Sequence, residues 1–331
     1  MTSSEFVARA ETGNRPWSLL ATIDRVIFPD TWFWIASALL LFLDLAWIAA
    51  APRISIAPDY FTRMLAPLGF LFVLAWIRQA LPSNAAPIFT RITCAGMALL
   101  FVLLTQPALR IFNHLLMTLP LPLADGLLAS WDEALGFQWL GYAKFFAGQK
   151  IVLAVMNHAY TYFYIGVLVV ALEAALVGHF FRCRELLALT FVSAVTASLI
   201  SCLFPARAAM DRYADEALRL QFSSNAGIFH IRQLMSLRGA DPITLHSSAL
   251  TGLSTFPSFH TAAGILIVYA CRGNSFRLAV GATYSTIMIA STPLFGGHYF
   301  VDLIAGTILA IATIAVWRSI AVKPVVRMGL A

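Results

Sequence analysis

Charge is what this chain has least of. Only 11% of its 331 residues are Asp, Glu, Lys or Arg, whereas 60% are hydrophobic. A soluble domain carries about 25% charged and 45–50% apolar residues, and the mean hydropathy of +0.80 points the same way. No soluble core of this length hides so much apolar surface, so a bilayer is the solvent this composition calls for. The arginines are scattered and form no dense basic run, which removes nucleic-acid binding from the partners expected. Cysteine is scarce as well. Cys94, Cys183, Cys202 and Cys271 make no CxxC pair and sit in or beside apolar segments, so they are read as packing residues. No metal and no cofactor is expected. The polar, mixed-charge N-terminus lacks the short apolar core and small-residue cleavage site of a signal peptide. The first apolar run, from about residue 28 to 51, is therefore expected to stay as a membrane helix.

What the sequence does have is long apolar runs. A membrane span needs about 20 mostly apolar residues. Eight candidates meet or approach that length, at about 31–51, 61–80, 90–109, 155–178, 185–204, 258–272, 276–296 and 299–318. The third is expected to end near Pro107 and Arg110, and the sixth is short. The expected fold is an all-α polytopic membrane bundle of about eight transmembrane helices. Two long connections interrupt it. Residues 110–150 have helical spacing of apolar positions and several aromatics, Trp131, Phe137, Trp139 and Tyr142 among them, and read as an interfacial segment. Residues 205–257 hold Arg207, Arg212, Arg219, Arg232 and Arg238 among polar turns. There is no internal repeat.

Lys and Arg in short loops set orientation. With the N-terminus cytoplasmic, the inside loops carry Arg78, Arg91, Arg182, Arg184, Arg272 and Arg277, and the tail carries Arg318, Lys323 and Arg327. Arg53 and Arg63 then fall outside. This topology also puts outside both long connections, the start of span six and the turn between spans seven and eight.

Those last two places each contain a histidine. Span six opens with FPSFHT, residues 256–261, and spans seven and eight meet at STPLFGGHYFVD, residues 291–302. Asp302 follows His298 by four residues, so on a helix the carboxylate reaches the ring, fixes its tautomer and leaves the other nitrogen free as a nucleophile. Gly296 and Gly297 permit close backbone approach to a ligand. Ser258 has the character of a helix cap, and the first-turn N–H groups beyond it suit a phosphate. His260 lies in that turn, placed to protonate a leaving oxygen. Asp44, deep in span one, is expected either to pair with a neighbouring helix, the favoured reading, or to face a polar cavity. Tyr160, Tyr162, Phe163 and Tyr164 read as a packing stripe or the border of a lipid entry groove.

Pro257-Ser258-Phe259-His260 followed by Ser291-Thr292, His298 and Asp302 resembles the second and third signatures, PSGH and SRxxxxxHxxxD, of the type 2 phosphatidic acid phosphatase superfamily. Upstream, WDEALGFQWL, AYTYFY and IRQLMSLRG look like the branch that includes inositolphosphorylceramide synthases. The resemblance covers roughly residues 130–310. It implies that His298 attacks phosphorus and forms a phosphohistidine, that Asp302 orients it, and that His260 protonates the departing alcohol. It also implies that Ser258 and backbone amides near Phe259 and Gly297 hold phosphate oxygens. The chain departs from the pattern in three places. Thr292 replaces an arginine, as in the sphingolipid synthases. Phe259 replaces glycine. The first signature, KxxxxxxRP, is absent. Phosphoryl transfer still needs positive charge, for which Arg207 is the first candidate, then Arg238 and Lys150.

The resulting expectation is a lipid phosphotransferase that moves a phosphorylated headgroup between phospholipid or sphingolipid substrates. The alternatives are a lipid phosphate phosphatase, a lipid transporter without covalent chemistry, and a catalytically silent scaffold. The chain is expected to divide into a cytoplasmic segment 1–30, N-terminal transmembrane helices 31–110, a catalytic membrane domain 111–320 and a tail 321–331. Its expected place is a bacterial cytoplasmic membrane, with the site on the extracytoplasmic face.

Overall fold

A computed structural model of the chain describes residues 28–80, 87–222, 225–247 and 250–321. Most of the expected N-terminal segment and nearly all of the tail, Lys323 and Arg327 included, lie outside the described residues. Within them the fold is helical, as hydrocarbon demands: without water, backbone N–H and C=O groups are satisfied only inside a helix or a closed barrel. The helices are α1 (Thr31–Ala50), α2 (Pro58–Ala80), α3 (Pro87–Leu116), α4 (Asp125–Ala134), α5 (Trp139–Phe146), α6 (Lys150–Thr161), α7 (Phe163–Leu176) and α8 (Phe180–Leu203). There follow α9 (Ala209–Tyr213), α10 (Glu216–Arg219), α11 (Ile231–Arg238), α12 (Phe259–Ala270), α13 (Ser275–Phe295) and α14 (Phe300–Ala321). A two-stranded parallel ladder joins β1 (Ile54–Ile56) to β2 (Ile243–Leu245).

All eight expected runs are helical, yet three differ from expectation. By length and composition six helices cross a membrane, or seven when α6 and α7 count as one. That pair is bent by 62°, at Tyr162, so the expected fourth span is broken, and it begins earlier. Helix α12 has only 12 residues, about 18 Å of rise, too short to span alone. It does not face lipid: Ala262, Ala263, Leu266 and Ile267 are buried among α7, α8, α13 and α14. Helix α3 runs through Pro107 for 30 residues, about 45 Å, and so outreaches a hydrocarbon layer of about 30 Å. Its last turns continue because Ile111 and Leu115 are buried against Leu234, Leu237, Leu250 and Leu253 of the connection before α12.

That connection, the α1–α2 loop and α4–α5 all gather at one end of the bundle. Arg53 donates to the carbonyls of Leu237 and Gly239, and Asp59 accepts from Ser247 at 2.6 Å. Helices α1 and α2 bury little against protein and present Trp32, Phe42, Phe70 and Trp76 outward. Asp44 is the exception. It is fully buried, but neither carboxylate oxygen has a hydrogen-bond partner among the described residues. The expected pairing with a neighbouring helix is not made; the residue lies close enough to Tyr60 to act on its hydroxyl.

Candidate active site

The capped end of the bundle holds both histidines. Helix α13 stops at Phe295, and Gly297 turns the chain with φ +69°. A Cβ there would stand 2.2 Å from the Gly227 carbonyl oxygen and 2.6 Å from Ala208 Cβ, so only glycine fits. The turn is bonded on both sides: Gly227 N–H donates to Phe295 O at 3.0 Å, and Ala209 N–H donates to Gly297 O at 2.7 Å. Gly297 therefore faces protein backbone, which makes it a shaping residue of the turn.

His298 precedes helix α14, so it shares no helical face with Asp302, contrary to expectation. The contact arises at the helix start instead. Asp302 Oδ2 accepts from Tyr299 N–H at 3.1 Å and meets His298 Nδ1 at 3.1 Å. An acidic side chain in the first helical turn reaches back to the capping residue's amide, half of a capping box. With Nδ1–H directed at the carboxylate, Nε2 is left as the free nitrogen. His298 is 2% exposed and Asp302 is fully buried.

His260 approaches from α12. Its ring stacks on Tyr160 at 4.2 Å with planes 13° apart and contacts Phe163 at 4.0 Å. The two imidazole centroids are 6.3 Å apart. Their convergence has a backbone cause: Ser258 N–H donates to Asp302 O at 2.9 Å, which ties the starts of α12 and α14 together. Gly306 makes the approach possible, since a Cβ there would lie 2.3 Å from Ser258 O. The Ser258 hydroxyl accepts from Thr261 N–H at 3.3 Å and is fully buried. It acts as the helix cap and also meets the Thr261 hydroxyl at 3.1 Å. Phe259 packs edge-on to Phe163 at 5.8 Å, and its N–H remains a first-turn donor. Thr292 hydroxyl bonds back to Ile289 O at 2.8 Å within α13, so it supplies no substitute for the missing arginine.

Three groups the motifs did not indicate shape the site. Asp132, 2% exposed, accepts from Phe300 N–H at 2.9 Å and Val301 N–H at 2.7 Å, capping α14 from another helix. Burial holds its carboxyl above the usual carboxylate range, and the two amides oppose that shift. Asp125, one helical turn pair earlier on α4, accepts from Arg207 N–H, Ala208 N–H and the Tyr299 hydroxyl at 2.9–3.2 Å. His230 is 2% exposed and within electrostatic reach of His298. Burial pushes its pKa down to about 4, so it is neutral and donates Nε2–H to Arg207 O at 2.7 Å. Both aspartates lie within the quoted WDEALGF stretch or just before it; an acidic residue on an otherwise apolar helix face was the available signal.

The basic candidates diverge. Arg207 reaches the site through its backbone, but its guanidinium pairs with Asp211 at 3.0 Å. Arg238 donates to the carbonyls of Leu119 and Leu121 and so braces the end of α3. Lys150 is exposed at the start of α6. Another arginine does face the site. A cavity of about 450 Å³ opens on the His260 side, bordered by Arg110, Tyr160, Tyr164, Phe229 and His260. No group of three or more His, Cys, Asp or Glu side chains suited to a metal occurs among the described residues.

One buried imidazole oriented by a carboxylate and one half-buried imidazole, set edge-to-face at the end of an apolar bundle, form an arrangement suited to nucleophilic attack and proton transfer. Comparison with curated proteins and with solved structures returns no match. The family model of the PAP2 superfamily matches residues 126–316. That match takes in α4, both histidines and Asp302 and covers more than half of the chain, which therefore belongs to the PAP2 superfamily of phosphatases and phosphotransferases.

Proposed function

We propose that this protein transfers a phosphorylated headgroup between membrane lipids through a phosphohistidine on His298. The observation that carries the reading is the pair of facing rings at 6.3 Å with Asp302 on Nδ1 of only one of them. In the first step His298 Nε2 attacks phosphorus, the P–O bond to the lipid alcohol breaks, and His260 gives that oxygen its proton. In the second, His260 takes the proton of an incoming alcohol, whose oxygen attacks phosphorus while the P–N bond breaks. Asp302 holds the tautomer and stabilises the imidazolium that forms when Nε2 bonds to phosphorus. The amides of Phe259 and His260, in the first turn of α12, are donors available to phosphate oxygens. Water in place of the alcohol would make the same site a phosphatase. The absent signature arginine and the upstream likeness to sphingolipid synthases favour an alcohol. The bias of arginine toward the short loops at the opposite end, with Arg182, Arg184, Arg272 and Arg277, supports an extracytoplasmic side for the histidine end.

Purified protein incubated with labelled phospholipids, with and without acceptor alcohols, tests this. A new labelled lipid that requires the acceptor is expected. Release of the phosphorylated headgroup, or of free phosphate where the substrate is a lipid phosphate, in both cases would replace the transferase with a hydrolase.

A further inference from the structure

The cavity beside His260 contains a charge that the catalytic pair does not use. Arg110 sits in α3, six residues before its end at Leu116. One of its nitrogens donates to Leu250 O at 2.6 Å, and its guanidinium lies 5.7 Å over the Tyr164 ring and hydrogen-bonds the Tyr164 hydroxyl. A guanidinium has five N–H donors, so most of its capacity is left over. No Asp or Glu lines the cavity, and Arg110 forms no ion pair among the described residues. A cation in an apolar surround without a counter-charge is costly, and the cost is relieved when an anion arrives. Arg110 itself is half-buried, and the walls are mixed: Leu109, Ala194, Ala197 and Phe229 supply apolar surface beside the charge, with Asn113, Ser198 and Thr251 as neutral polar groups. The roof is held in place independently, since Asn113 accepts from Leu253 N–H at 3.1 Å and donates to Ser254. A guanidinium at one point and apolar surface beside it match an amphiphile with an anionic head.

We infer that this cavity binds a lipid-borne phosphate, with Arg110 as its charge-recognising residue and Leu109, Ala194 and Ala197 as the seat of the chain. The location gives the site its role. The cavity includes His260 but not His298 or Asp302, so the lipid is held on the acid-base side of the histidine pair. Arg110 is thus a specificity residue, and it stands where Arg207, Arg238 and Lys150 do not, in one cavity with a catalytic imidazole. The role in catalysis rests on the phosphoryl-transfer reading; the binding site does not.

The test uses full-length protein in detergent carrying His298→Ala, so that no turnover confuses binding. Calorimetric titration with dihexanoyl phosphatidic acid is compared with titration by uncharged dihexanoylglycerol and by inorganic phosphate. Arg110→Gln is expected to weaken the phosphatidic acid about tenfold or more, as loss of a charge-assisted hydrogen bond does, and to leave the diacylglycerol unchanged. Arg110→Lys, which retains charge, should recover part of the loss. It decides the matter should the Gln variant melt early through loss of the Leu250 contact. Ala194→Leu, which fills the chain seat, should weaken both lipids. Unaltered phosphatidic acid binding in Arg110→Gln overturns the inference. So does Arg110-dependent binding of inorganic phosphate as tight as that of the lipid, which would make this a free-phosphate site. Normal turnover by His298→Ala alongside Arg110-dependent binding would sink the catalytic reading and spare the site.

Discussion

The two ends of the bundle are braced by the same side chains used in opposite ways. At the histidine end, carboxylates meet backbone amides: buried Asp132 holds Phe300 and Val301, half-buried Asp125 holds Arg207 and Ala208, and buried Asp302 holds Tyr299, while Asp211 adds ion pairs to Arg207 and Arg219. At the other end, carboxylates meet guanidinium groups: Glu185 with Arg272 at 2.5 Å, Glu173 with Arg277 at 3.0 Å and Asp30 with Arg184 at 3.1 Å. An amide bond to a buried carboxylate locks backbone geometry, whereas the part-exposed Glu173–Arg277 and Asp30–Arg184 pairs leave two side chains to find each other and contribute little; Glu185 is buried, so its pair with Arg272 is the firm contact at that end. Precision is concentrated where two imidazoles must face a common point, and the opposite end only has to be held.

The comparison breaks most readily at His298. His298→Ala should abolish turnover of lipid phosphates, a loss of roughly 10⁴-fold or more, with an unchanged melting temperature; retention of rate would end the mechanism. Asp302→Asn should slow the same step by roughly 10²–10⁴-fold, because the carboxamide permits the wrong tautomer. Equal rates in the two proteins would show that the carboxylate does not orient the ring. Asp132→Asn touches no reacting atom, yet it sets an N–H₂ group against amides that need acceptors. It should cost about 1–3 kcal/mol and lower kcat with little change in KM. A thermal shift without a change in kcat would separate α14 capping from His298 placement.

His230 sharpens the contrast through pH. Its folded pKa of about 4 lies below its ordinary value near 6.5, so the unfolded chain binds the proton first. Stability supplied by neutral His230 is complete above pH 6.5 and falls as pH drops towards 4, by a total on the order of 3 kcal/mol. His230→Gln should flatten the melting temperature over that window. An unchanged slope would mean that another group dominates. The smallest effect belongs to the opposite end. Glu173→Gln, whose side chain is 40% exposed, should shift stability by about 0.5 kcal/mol or less and leave activity untouched. A large loss of activity there would contradict the division between the two ends.

How far the sequence announced this arrangement depends on the range of each interaction. The apolar runs were legible, because burial in hydrocarbon leaves its record residue by residue. His260, His298 and Asp302 were legible because their spacing is local. What was not legible depends on partners far away. Asp132 serves amides 168 and 169 residues later, and His230 serves a carbonyl 23 residues earlier. The continuation of α3 through Pro107 follows from packing of Ile111 and Leu115 against a distant connection, which outweighed the lost hydrogen bond. The break at Tyr162 has no breaker residue in the sequence; the rings of Tyr160 and Phe163 on either side both face His260. Arg110 ended a run and read as a boundary charge, whereas the helix continues and carries it into a cavity.

The central claim is that phosphorus becomes bonded to one particular nitrogen. The most direct measurement is a rapid alkaline quench of wild-type protein turning over a lipid phosphate, followed by mass spectrometry of the peptide that spans Gly296 to Asp302. The predicted result is the mass of one phosphoryl group on His298 when the substrate is a lipid phosphate, or of the phosphorylated headgroup when it is a phospholipid, absent in either case from His298→Ala. A phosphoryl group on another residue, or product formation by His298→Ala, would contradict it.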